Sequence, residues 1–126
     1  MGMDRAVSFA TGTMPAWDRV RDLLTHNDFP VQMRMIDGQL AFPDEQPAAS
    51  WTELRVGTAS GMITIRRESD RVRLVIWGNA DAAMLQAWNI LTWAFAEAGG
   101  GRIESAEEEF SADDFRKQTI RGFGSS

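Results

Sequence analysis

Residues 51–77 read Trp51-Thr52-Glu53-Leu54-Arg55-Val56, then Met62-Ile63-Thr64-Ile65-Arg66, then Val72-Arg73-Leu74-Val75-Ile76-Trp77, parted by Thr58–Gly61 and by Glu68-Ser69-Asp70. Each run is rich in β-branched and aromatic residues, alternates in polarity and ends at turn-forming residues, so three consecutive antiparallel strands are predicted. Upstream, Val31, Met33 and Met35 alternate with Gln32, Arg34 and Ile36, and Asp37-Gly38 leads into Gln39-Leu40-Ala41-Phe42. Asp-Gly between two such runs signals a type I′ turn. The meander therefore grows to about five strands, with Pro43–Ser50 as a surface loop between hairpin and meander.

Two helices bracket this region. Pro15 followed by Trp17, Val20 and Leu24 gives an N-terminal proline and one apolar face, so a helix is expected over 15–26, ended by Asn27-Asp28 and Pro30. Residues 80–98 are rich in Ala, Leu, Met and Gln, open at Asn79-Ala80-Asp81 and stop at Gly99-Gly100-Gly101, the composition of a long capped helix. The expected class is α+β, a two-layer sandwich with both helices on one face of an antiparallel sheet. With residues 7–12 added as an edge strand, the order approaches β-α-β(4 or 5)-α, a helix-grip or TATA-binding-protein-like topology, although no motif ties the chain to a family. A single domain over 1–126 is expected, its core spanning about 7–100. The acidic segment 102–126 lies outside that core and is free to be mobile, with a short helix from Ser111 to about Gln118 and fraying from Gly122.

Composition removes several functions. There is no cysteine, which excludes a disulfide scaffold, a thiolate metal site and a cysteine nucleophile. The net charge of −5 opposes binding of nucleic acid by bulk electrostatics. The N-terminus lacks a secretion signal and no run is long enough to span a membrane, so a soluble cytoplasmic protein is expected. His26, the sole histidine, falls at a helix C-terminus and reads as a capping side chain. Gly99–Gly101 follows a helix where a phosphate cradle would precede one, Gly57–Gly61 reads as a hairpin loop, and Glu107-Glu108-Glu109 reads as a solvated run. No catalytic residue, cofactor or metal ligand is assigned.

Tryptophan and arginine remain as signals. On the second helix Met84, Trp88, Leu91 and Phe95 form one stripe, while Ile90 and Trp93 fall with Gln86, Asn89 and Glu97 about half a turn away. Either the C-terminal segment covers that second side with Phe110 or Phe115, or a partner subunit does, making Trp93, Ile90, Gln86 and Glu97 an interface. All basic residues but Lys117 are arginine, and Arg34, Arg55, Arg66, Arg71 and Arg73 recur at strand positions. Alternation turns Arg55, Arg71, Arg73, Val75 and Trp77 away from the helices, as a partner site or as a solvated face paired with Glu53 and Glu68. The functional expectation is a non-enzymatic protein-interaction module, a homodimer or a small acidic accessory or inhibitor subunit. The alternative is an apolar-ligand domain with a pocket lined by Met33, Met35, Phe42, Trp77 and Trp88 between sheet and helix.

Overall fold

Inward-facing Leu54, Val56, Ile63, Ile65, Val72, Leu74 and Ile76 alternate with more exposed neighbours along three strands, and these seven side chains form the floor of the core. The computed structural model describes residues 2–104 and 108–120. Its elements run β1 (Gly2–Ser8), α1 (Trp17–His26), β2 (Gln32–Ile36), β3 (Gln39–Leu40), β4 (Glu53–Thr58) and β5 (Gly61–Glu68). They continue through β6 (Arg71–Trp77), α2 (Ala82–Gly99), β7 (Arg102–Glu104), β8 (Glu109–Ser111) and α3 (Ala112–Thr119). All eight strands join one antiparallel sheet in the order β3-β2-β4-β5-β6-β1-β7-β8. Among the described residues no helix is long and apolar enough to cross a membrane.

The α+β class, all three expected helices and the strands β2 to β6 are present, but the sheet has eight strands where about five were expected. The N-terminal strand covers Gly2–Ser8, and it is an interior strand between β6 and β7 where an edge strand over 7–12 was expected. Its alternation is disguised because Met3, Arg5 and Val7 face the helices, placing a cation at a core position. Arg5 is accommodated there by stacking 4.0 Å from the Trp88 ring centroid and 5.0 Å from that of Phe115, and by donating to Asn89 Oδ1. Burial lowers its pKa below the ordinary arginine value.

The segment after α2 extends the core beyond residue 100. Ile103, Phe115 and Ile120 are buried, and α3 packs on α2, β7 and β8. Ser111 caps α3 by accepting from the Asp114 N–H at 3.1 Å. The fraying expected from Gly122 onward lies outside the described residues. The glycines that close α2 divide the work: Gly100 takes the left-handed conformation at φ 65°, while a Cβ on Gly101 would stand 2.7 Å from the Phe9 ring. Asp81 caps the other end by accepting from Met84 N–H at 2.8 Å. His26 joins the end of α1 as expected, its Nδ1 lying 2.8 Å from the Asp22 carbonyl, and the helix ends at Asn27-Asp28 as read, with Asp28 at φ 61°.

The Asp37-Gly38 turn has φ of 51° and 83°, as a type I′ turn requires. Asp37 also fixes the hairpin to β4. Its Oδ1 accepts from Glu53 N–H at 2.9 Å, from Thr52 N–H at 2.8 Å and from Thr52 Oγ1–H at 2.8 Å, and these bonds hold its pKa below the usual carboxylate value. A group whose folded pKa is depressed stabilises the fold fully above its unfolded pKa, and that contribution is lost as pH falls through the folded value. Asp37→Ala is therefore expected to lower the melting temperature at neutral pH, with the gap to the wild type closing below the ordinary carboxylate range. Thermal unfolding of both proteins across an acid pH series checks this.

Candidate functional site

Strand pairing resolves the sheet face turned away from the helices into parallel rows. One row runs Leu40, Met35, Arg55, Thr64, Val75 and Asp4 across six strands. On one side of it lies the row Glu53, Arg66, Arg73, Ala6, Glu104 and Glu109, and beyond that Glu68, Arg71, Ser8, Arg102 and Ser111. On the opposite side lie Gln32, Gly57 and Met62, with Trp77 two residues past Val75 on the same face.

The two halves of this face differ in chemistry. In the first, opposite charges meet across strands: Arg66 to Glu53 at 3.1 Å, Arg73 to Asp4 at 3.1 Å and to Glu68 at 3.2 Å, Arg71 to Glu104 at 3.2 Å, and Arg102 to Glu109 at 3.2 Å. Ser8 Oγ donates to Glu104. Pairing with Glu68 and Asp4 raises the pKa of Arg73. This half is a solvated network, in which each pair contributes little because water screens it. Arg71 and Arg73, read either as a partner site or as part of a solvated face, are engaged by carboxylates of their own sheet.

The second half is apolar. Leu40 is 89% exposed, Trp77 75% and Met62 49%, and Phe42, two residues along from Leu40, is 75% exposed. A groove of about 600 Å³ is walled by Arg34, Met35, Leu40, Ala41 and Met62 with Gly57 among its lining. From Met62 it passes into a second hollow of about 220 Å³ bounded by Arg55, Thr64, Arg66, Val75 and Trp77. These side chains leave an exposed apolar surface on this half of the sheet.

A β-bulge builds the groove. The register of β2 against β4 shifts between Met33 and Met35, so Met33 stays in the core while Met35 turns to the open face. The strict alternation expected for Val31, Met33 and Met35 fails at that point. The bulge also lays the Arg34 side chain over Gly57, where an added Cβ would meet Arg34 Nε at 2.8 Å, so glycine there makes the seat. Leu40, Met62 and Arg34 were missed as a group because the bulge has no sequence signature.

Other expected site residues fall elsewhere. Trp93 is 5% and Ile90 3% exposed, so the second apolar side of α2 is buried within the chain. Of that proposed interface only Glu97 is exposed, and Gln86 is half-buried. The five residues expected to enclose a ligand do not converge: Met33 and Trp88 are in the core, Met35 and Trp77 are on the opposite face of the sheet, and Phe42 is at the surface. Trp88 is fully engaged, its Nε1–H donating to the Leu74 carbonyl at 3.0 Å.

The contrast between the tryptophans is measurable. Trp93→Ala is expected to cost about 3–5 kcal/mol of unfolding free energy, as truncation of a buried aromatic does, whereas Trp77→Ala should change it by less than about 0.5 kcal/mol. Denaturant titration of the two variants checks both. Compared with protein-family models, curated proteins and solved structures, the chain matches none of them.

Proposed function

We propose that this chain is a non-enzymatic protein-interaction module, an accessory subunit that receives its partner on the apolar half of the open sheet face. The observation that carries the reading is the division of that face. Its arginine-rich half is neutralised internally by Glu53, Asp4, Glu68, Glu104 and Glu109, while Leu40, Met62 and Trp77 stand exposed among the described residues. Tryptophan, methionine and arginine side by side are the residue types enriched where proteins dock.

An accessory role is favoured over a homodimer through this face by charge. The groove walls carry Arg34, Arg55 and Arg66 against the single carboxylate of Glu53, and a two-fold axis through the patch would bring this net positive charge against its own copy. The residues named earlier on α2 do not enter the proposal, because Trp93 and Ile90 are buried in the single chain.

Light scattering over a dilution series is expected to give the monomer mass throughout. The native chain should enhance the fluorescence of anilinonaphthalene sulfonate, an anionic apolar dye, and Leu40→Glu with Trp77→Glu should remove that enhancement without moving the thermal melt. A dimer that Trp77→Glu dissociates would replace the accessory subunit by self-association. Dye binding unaffected by both substitutions would remove the docking face itself.

A further inference from the structure

The composition of the groove identifies what it receives. We infer that its occupant is an extended peptide segment of a partner protein in which carboxylate side chains accompany large apolar ones; the inference rests on the docking face proposed above and specifies its ligand.

Three observations lead there. The groove walls hold three guanidiniums, two of which, Arg55 and Arg66, share the single carboxylate of Glu53 behind them, so a local excess of positive charge remains although the chain as a whole carries a net charge of −5. That excess lies at an exposed apolar surface of an acidic protein, so electrostatic complementarity selects an acidic partner there and repels the chain's own acidic surface. Arg55 and Arg66 share Glu53, at 3.9 Å and 3.1 Å, which leaves their other N–H groups available for a second acceptor. The Arg34 guanidinium has no hydrogen bond or ion pair among the described residues, yet it is held over Gly57 by the β-bulge. A guanidinium positioned at the rim of an apolar groove and lacking an internal acceptor is arranged to take a carboxylate in its two-pronged geometry.

Shape adds the extended form. From Leu40 on β3 to Trp77 on β6 the groove crosses five strands, about 19 Å at the usual spacing, which is room for roughly six residues of extended chain. Leu40 and Met35 mark one apolar end, Val75 and Trp77 the other, and Arg34 and Arg55 lie between them. A peptide laid across the strands therefore meets an apolar seat at each end and cations along the middle.

The test is selection from a displayed library of random dodecapeptides on the intact wild-type chain, with affinities of the chosen peptides measured in solution. Enrichment of Asp and Glu beside Leu, Phe or Trp is expected, with binding lost to Trp77→Glu and weakened about tenfold by Arg34→Glu. Peptides with their carboxylates exchanged for lysine should in turn prefer Arg34→Glu. Peptides that bind, depend on Trp77 and Leu40, but show no acidic enrichment and no response to Arg34→Glu would overturn the acidic ligand and leave the docking face intact. Failure to select any peptide, or binding that survives both Leu40→Glu and Trp77→Glu, would overturn the docking face and the ligand together. Unchanged thermal melts of the variants establish that each loss reflects the surface and not the fold.

Discussion

Every residue of α2 from Ile90 to Ala96 is buried, and this one requirement organises the molecule. A helix packed on a sheet normally leaves one side in water, so a helix hidden all round needs neighbours on its flanks as well as beneath it. Here α1 approaches from one direction, with Trp17 against Phe95 at 6.1 Å between ring centroids, and α3 packs against α2 from the segment that follows it. Thr92, polar and fully enclosed, is satisfied by donating to the Trp88 carbonyl at 2.8 Å. The sheet must be wide enough to floor three helices, and β1, β7 and β8 supply the extra width.

That arrangement explains why the proposed docking surface lies on the far side of the sheet. With all the helices on one face, the apolar burial of the domain is completed there, and the residues at alternate positions are free to take other work. In the half containing β7 and β8 they form cross-strand ion pairs. In the half containing β2 and β3 they stay apolar, and the bulge at Arg34 and Met35 converts a flat face into a hollow.

How far this was legible in the sequence follows from how local each signal is. Turn chemistry at Asp37-Gly38, the cap Asp81, the short helix begun near Ser111 and the alternation of residues 51–77 are local, and these elements are where they were read. The strand β1 was displaced in the reading because Arg5 occupies an inward position that only Trp88 and Phe115, far along the chain, make tolerable. The three-residue strands β7 and β8 are too short and too acidic to announce themselves. Alternation identified Arg55, Arg71, Arg73 and Trp77 as outward-facing, but which of the arginines have carboxylates opposite depends on register. The two apolar sides of α2 were visible as well, yet their burial within the chain depends on how distant segments pack.

The edge next to the groove has a further consequence. β3 is two residues long, and just past it the chain runs on beside β2, with Ala41 N–H donating to the Arg34 carbonyl and the Pro43 carbonyl accepting from Met33 N–H, while on the outer side Phe42 N–H donates to Glu45 Oε1 and the Phe42 carbonyl accepts from Glu45 N–H. Little main chain is left there for a foreign strand to zip onto, and Pro43 has no N–H to offer. An apolar surface beside an open sheet edge is the usual starting point for fibrillar growth; with this margin already stitched shut, the greasy half of the face is displayed without a template for polymerisation.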